Sequence, residues 1–280
     1  MITRRKFIKS TAIAGLATTL IPKSLFAADL HYPIGIQLYT IRDMVSNDFT
    51  GTLKILAEIG YNTIEAAGYG DGKFYGFEPN EFKKLVEDAG LIPLSTHLGV
   101  TIENAAKVAE DSIRAGMRYL VLPSLGSDYR KDMDGYKRAA EDFNKIGEVC
   151  KSAGISFGYH NHGFEFEKMN GEVPYNVLLE NTDPELVFMQ VDTYWMVYGG
   201  YDPLDYFSNY PGRFKLWHVK DMVEDESQES TEIGSGKLDF PAYYDMAKAA
   251  GLEAVFVEQE SFKMDPVISI TKSYQYLKSL

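Results

Sequence analysis

From residue 34 onward the chain alternates short apolar, β-branched runs with amphipathic stretches of helical period, and it does so eight times without a break in composition. The β-like runs are Ile34–Tyr39, Asn62–Ala66, Ile92–His97, Tyr119–Pro123, Ile155–His160, Leu186–Asp192, Phe214–His218 and Ala254–Glu258. The helical stretches are Thr50–Ile59, Glu81–Ala89, Ala105–Ala115, Gly135–Ala153, Val173–Asn181, Asp202–Asn209, Ala242–Ala250 and Pro266–Leu280. Successive strand ends fall 26 to 40 residues apart, the length of one βα unit. Ile59-Gly60, Ala89-Gly90, Ala115-Gly116, Ala153-Gly154 and Ala250-Gly251 each put a glycine just past a helix, where a left-handed residue ends it. Eight such units predict an α/β fold, a single (β/α)8 TIM barrel. An open doubly wound sheet would carry a glycine-rich loop after its first strand, and Tyr39-Thr-Ile-Arg-Asp43 is not one.

A parallel barrel makes a sharp demand on function, because its chemistry sits at the carboxyl ends of the strands. Four of the five histidines fall there, namely His97, His160, His162 and His218, together with Tyr39, Glu65, Asp192 and Glu258. His160, Asp192, His218 and Glu258 close strands five to eight, which neighbour one another around half of the mouth. Two imidazoles and two carboxylates form a mixed nitrogen and oxygen set suited to Mn²⁺, Co²⁺ or Zn²⁺ and, less well, Mg²⁺. A divalent ion that chelates a carbonyl and its neighbouring hydroxyl acidifies the hydrogen between them and stabilises an enediolate. Glu258 is placed to take that proton, and Glu165, His162 or Lys220 to return it. Glu65 and His97 are read as groups that hold sugar hydroxyls across the mouth or as buried hydrogen-bonding polars, Asn161 as a group that meets the substrate or supports the ligands, and Tyr39 and Trp195 as parts of an aromatic wall.

The motifs Ile34-Gly-Ile-Gln-Leu-Tyr39, Thr63-Ile-Glu65, Tyr159-His-Asn-His162 with Glu165-Phe166, Val191-Asp192-Thr193, His218-Val-Lys-Asp221, Ile233-Gly-Ser-Gly236 and Glu258 together resemble the sugar phosphate isomerase/epimerase superfamily, the xylose isomerase-like TIM barrels. The resemblance runs from residue 34 to about 280 and implies one divalent metal, often Mn²⁺, held by His160, Asp192, His218 and Glu258. It also implies a sugar isomerase or epimerase working by proton abstraction next to a carbonyl. His160 stands where many epimerases carry a glutamate that is both ligand and second base, and Trp195 where relatives often carry a substrate-contacting histidine. Two alternatives follow from those departures. One is a carbon–oxygen lyase or hydratase acting on a 3-keto-glycoside, which needs a single strong base, and the other is a sugar-binding barrel without turnover. Ile233-Gly-Ser-Gly-Lys237 lacks the spacing of a phosphate loop and is read as the end of the seventh loop, with Asp239 capping the next helix.

Residues 1–28 read as a twin-arginine export signal, from Arg4-Arg5, the basic start and the mild apolar run Ser10–Ile21, so the barrel is expected over 29–280 and in the periplasm. Those residues carry five positive charges (Arg4, Arg5, Lys6, Lys9, Lys23) and no negative one, so removing them takes the net charge from −12 to −17. A body that acidic argues against nucleic acid and anionic membranes and leaves a small sugar or keto-sugar as the expected partner. Stable membrane insertion is not expected, and a homo-oligomer is compatible with the sequence. Cys150 is the only cysteine, so no internal disulfide forms.

Overall fold

A computed structural model describes residues 32–280. The export signal expected over 1–28 lies outside the described residues. Eight parallel strands close into a barrel, β1 (Ile34–Gln37), β2 (Thr63–Ala66), β3 (Ile92–His97), β4 (Tyr119–Leu122), β5 (Ser156–His160), β6 (Val187–Asp192), β7 (Leu216–Val219) and β8 (Ala254–Val257). They pair in sequence order, and β8 returns to β1 through Ile34 opposite Val255 and Ile36 opposite Val257. The outer layer is α1 (Phe49–Ile59), α2 (Pro79–Asp88), α3 (Ala105–Arg114), α4 (Met133–Ala153), α5 (Pro174–Asn181), α6 (Pro203–Asn209), α7 (Phe240–Asp245) and α8 (Pro266–Lys278). The predicted (β/α)8 barrel is the observed one.

Local chemistry sets the boundaries. The Asp48 and Asp132 carboxylates accept from the amides of Gly51 and Gly135 and start α1 and α4. The seventh helical stretch, expected to be continuous to Ala250, breaks after Asp245: Met246 donates to the Tyr243 carbonyl at 3.0 Å, tightening the turn, and a separate turn of helix follows over Ala247–Ala250. Strand β1 stops at Gln37 rather than Tyr39 because the Gln37 side chain accepts from the Tyr39 amide at 3.1 Å and turns the chain into a 3-10 helix over Leu38–Ile41. Periodicity alone carried no sign of two small hairpins above the mouth, Tyr69–Gly70 with Lys73–Phe74 and Asp221–Met222 with Ser230–Thr231.

Strand alternation divides the side chains into two cores. Val187, Met189, Val191, Val255 and Val257 point outward to the helices, while Leu94, Tyr119, Val121, Phe188, Leu216, Ala254 and Phe256 fill the lower barrel. Two glycines make that filling possible. A Cβ on Gly158 would stand 2.5 Å from the Phe188 ring, and one on Gly35 would stand 2.6 Å from the Phe256 ring. Above this apolar layer the same alternation delivers Gln37, Glu65, Gln190, Asp192 and His218, all buried, to the upper lumen.

Candidate metal centre and active site

His160 ends β5, Asp192 ends β6, His218 lies one residue from the end of β7 and Glu258 follows β8. One ligand-capable atom from each lies within 4.8 Å of the others, and all four side chains are buried. His97 joins His160 and His218 in a second, overlapping group. The Asp192 Oδ1 accepts from the Trp195 amide at 3.0 Å, but its Oδ2 and the Nδ1 of His160 are buried without a partner. Orphaned donor and acceptor atoms at this depth cost free energy unless something outside the chain meets them. The Nε2 of His160 lies 3.8 Å from the orphaned Asp192 oxygen, and the convergence of the four side chains fits a divalent cation in chemistry and in number of ligands.

The centre is held from below by Glu65. One carboxylate oxygen accepts from Gln37 Nε2 at 2.8 Å and from His218 Nε2, and the other accepts from Ser95 Oγ at 2.6 Å and Gln190 Nε2 at 2.7 Å. Burial would raise this carboxyl, but His97 and His218, with the Ser95 hydroxyl, overcome it and bring it down to about 2. A carboxylate on the far nitrogen of a ligand imidazole fixes its tautomer and orientation, so His218 turns Nδ1 towards Glu258. Between Glu65 and Glu258 the His218 ring is pushed up to about 10 in spite of its burial, so without a cation it is an imidazolium. Burial alone would raise Glu258, yet His218 and Lys220 hold it well below the ordinary carboxylate range. Burial drives Asp192 upward against the opposing charge of Lys220.

The mouth opens into a cavity of about 630 Å³ whose lining includes Tyr39, His97, His160, His162, Glu258 and Glu260. His162 is pushed down to about 4 by burial and by the Lys220, His97 and His218 charges, so at neutral pH it is an uncharged imidazole. His97 lines the same cavity while its Nε2 donates to Gln190 Oε1 at 2.5 Å. Tyr39 is 49% exposed at the rim, with the Arg42 guanidinium 4.7 Å from its ring centre. Lys220 is fully buried beside the metal group; its Nζ donates to Glu260 at 2.6 Å and lies 4.7 and 4.8 Å from the ring centres of Tyr194 and Trp195. Trp195 also packs on His162, with ring centres 5.7 Å apart.

Three of the expected assignments meet a different geometry. Glu65 was expected at the sugar and instead lies below the metal group, its four hydrogen bonds all made to protein. Asn161 spends both ends of its amide on the Asp192 backbone, donating to the carbonyl at 3.3 Å and accepting from the amide at 3.1 Å, which ties β5 to β6. Glu165 was expected to move protons, but it pairs with the Tyr159 hydroxyl and accepts from the His162 amide at 2.9 Å. Tyr159 points outward onto Phe143 of α4, so the Glu165 carboxyl lies behind the barrel wall, where burial pushes it up to about 8. Sequence reasoning missed Gln37, Ser95, Gln190 and Glu260. Strand parity offered a signal for two of them, since Gln190 stands two residues before Asp192 in an apolar run and Glu260 two after Glu258.

Residues 53–280 match the profile of the family described as "Xylose isomerase-like TIM barrel". The chain belongs to that family. A crystal structure from Parabacteroides distasonis, described as a sugar phosphate isomerase/epimerase, is 33% identical, covers 90% of this chain and 96% of its own, and superposes with a TM-score of 0.81. An inosose dehydratase of Geobacillus kaustophilus is 24% identical over 204 residues, 62% of each chain, so the protein spans about three fifths of the length of that curated relative. A Bacillus anthracis structure described as the probable 3-DHS dehydratase involved in petrobactin synthesis, 13% identical with a TM-score of 0.69 over 89% of this chain and 99% of its own, shares the fold. Isomerases, epimerases and dehydratases thus all stand among the barrels this chain resembles.

Proposed function

We propose that the protein is a divalent-metal enzyme that removes a proton next to the carbonyl of a keto-sugar and follows that step with elimination, a carbon–oxygen lyase reaction. The observation that carries the reading is the convergence of His160, Asp192, His218 and Glu258, with an orphaned Asp192 oxygen, at the floor of an open cavity. These four residues would hold a divalent cation such as Mn²⁺, which would supply the Lewis acidity that makes a hydrogen beside a carbonyl removable. Glu258, ionised and facing the cavity, takes that hydrogen. Lys220, paired with Glu260, keeps a positive charge near it and helps hold that base ionised. His162, neutral and on the same cavity, exchanges a proton with the group that departs.

Elimination is favoured over epimerisation by where the carboxylates are. Both carboxylates that line the cavity, Glu258 and Glu260, come from the exit of β8, and Glu165 lies behind the wall. A two-base epimerase needs acid–base groups on opposite faces of one carbon, whereas an elimination needs one base and one acid. The dehydratase relatives support the same choice. The second reading, a sugar isomerase or epimerase, draws support from the name of the Parabacteroides relative.

The two separate in one experiment. The Mn²⁺-loaded protein is incubated in deuterium oxide with free ketoses and with a 3-keto-glycoside. Release of the aglycone without deuterium entering any recovered ketose supports the lyase; deuterium in a recovered ketose or its epimer sinks it in favour of the isomerase. The periplasmic location is also our proposal, resting on the Arg4-Arg5 pattern; among the described residues no helix is long and apolar enough to cross a membrane.

A further inference from the structure

Three features near the mouth have the chemistry to meet a phosphate; two are committed inside the chain, and the third is held at the exposed rim. The amides of Gly234 and Gly236 both donate to one oxygen of the buried Asp221 carboxylate at 2.9 Å, while Met222 and Leu238 donate to the other at 2.8 and 3.1 Å. The glycine loop is therefore an anion nest whose anion is built into the chain. Lys220 is the second feature. Its Nζ donates to Glu260 at 2.6 Å, its one ion pair among the described residues, and the rings of Tyr194 and Trp195 lie against its head. The third is Arg42, the one lysine or arginine among the described lining residues, which donates to the Tyr39 carbonyl at 3.1 Å and stacks on the Tyr39 ring. Phosphate recognition asks for uncommitted guanidinium forks, ammonium groups or backbone amides, and Glu258 and Glu260 on the lining would repel a dianion.

We propose that the site takes an uncharged sugar and that Glu260 enforces this by neutralising Lys220 at the cavity wall. Glu260 is a specificity-determining residue: its carboxylate cancels the one ammonium deep enough to draw an anionic group towards the metal ligands. This inference rests on the reading of the mouth as a keto-sugar site, but the charge filter it describes can be tested apart from turnover. A substrate bearing neutral hydroxyls, or a neutral group attached to the sugar, meets Glu260 as a hydrogen-bond acceptor and the free face of Tyr39 as a stacking surface.

The test uses the full-length protein loaded with Mn²⁺ and its Glu260→Gln variant, which keeps an acceptor for Lys220 and removes the charge. Inorganic phosphate is titrated into both while the fluorescence of Trp195, beside Lys220, is followed. The variant is expected to bind phosphate about fivefold more tightly, the upper range for a single half-exposed ion pair. Any direct binding of phosphate to the cation is common to both proteins. In parallel, wild type is offered a neutral ketose and its 6-phosphate, and is expected to prefer the neutral one. Equal phosphate affinity in the two proteins overturns the role given to Glu260, and a wild-type preference for the phosphate ester overturns the substrate class. If the phosphate contrast holds while no sugar of either kind binds, the filter stands and the keto-sugar reading fails. Should the variant not fold, the wild-type pair of sugars decides alone.

Discussion

Replacing Glu65 by glutamine tests whether the hub beneath the metal group works as described. The two side chains have the same shape, so the change removes a charge and turns one acceptor into a donor. If the new NH₂ takes the first oxygen's place, it meets Gln37 Nε2 and the donor nitrogen of His218; if it takes the second, it meets Gln190 Nε2 and the Ser95 hydroxyl. Neither neighbouring amide can simply flip. Gln37 uses its oxygen for the Tyr39 amide and Gln190 uses its oxygen for His97, so each flip breaks a second bond. One buried donor–donor conflict costs about 1–3 kcal/mol, and a chain of this size loses about 2–4 °C of melting temperature per kcal/mol. The remaining relief is for His218 to give up the proton on Nε2 and keep one on Nδ1, the nitrogen that faces Glu258. That tautomer cannot bind a cation through Nδ1, and loss of such a supporting partner lowers metal affinity about 10–100-fold. Thermal unfolding in chelator and calorimetric titration with Mn²⁺ read the two effects. A variant that melts with wild type and binds Mn²⁺ within about threefold of it, under half a decade where a decade is about 1.4 kcal/mol, would refute the hub.

Three further outcomes follow from the same geometry. Because Glu65 and Glu258 hold the metal-free His218 ring up to about 10, cation uptake at pH 8 should release that proton, and affinity should weaken about tenfold per unit as pH falls; titration in buffers of different ionisation heat counts the proton, and a pH-independent affinity contradicts the account. Glu165 has its pKa raised in the folded chain to about 8, so its contribution is unchanged below the unfolded value of about 4.5 and turns against folding as pH rises from there to 8, by up to about 1.4 kcal/mol per unit. Glu165→Gln should flatten that part of the stability profile while leaving turnover within about threefold, for want of any proton-transfer role; a collapse of turnover with intact stability would return Glu165 to the reaction. Gly158→Ala should lower stability by about 1–3 kcal/mol, since the added methyl meets the Phe188 ring in a filled barrel, and an unchanged melting temperature would show that the ring has room to move.

Much of the barrel is legible in the sequence because each level repeats the same message. Periodicity, glycine stops and the spacing of strand ends all point to eight βα units, and each was found within a few residues of its place. The four residues of the converging group, His160, Asp192, His218 and Glu258, could be named because an acidic or imidazole side chain ending an apolar run stands out. What periodicity cannot show is direction after a strand has ended. His162 and Glu165 are three residues apart in one motif, yet the turn through Gly163 sends one to the cavity and the other behind Tyr159. Polar residues inside apolar strands were under-read for a related reason: Gln37 and Gln190 carry no charge and no metal affinity, and their part appears only when the lumen brings them to one carboxylate. Spacing already sets the glycine loop apart from a phosphate loop, but only the structure shows that Asp221 is the anion its amides hold.

The direction of the bonds around Glu65 has a consequence for how protons travel. His97 donates to Gln190, and Gln190, Gln37, Ser95 and the Nε2 of His218 all donate to Glu65, so four hydrogen bonds run inward to a single acceptor, while the Nδ1 of His218 faces Glu258. Apart from His218, such an arrangement is a sink and not a relay, since no other member can pass a proton outward without reversing a neighbour. A cation on the Nδ1 of His218 would close that one exit and cut the floor of the site off from the cavity. A hydrogen leaving a bound sugar must therefore exit across the rim, past Glu258, Glu260 and His162, and an isotope supplied by the solvent must enter by the same side.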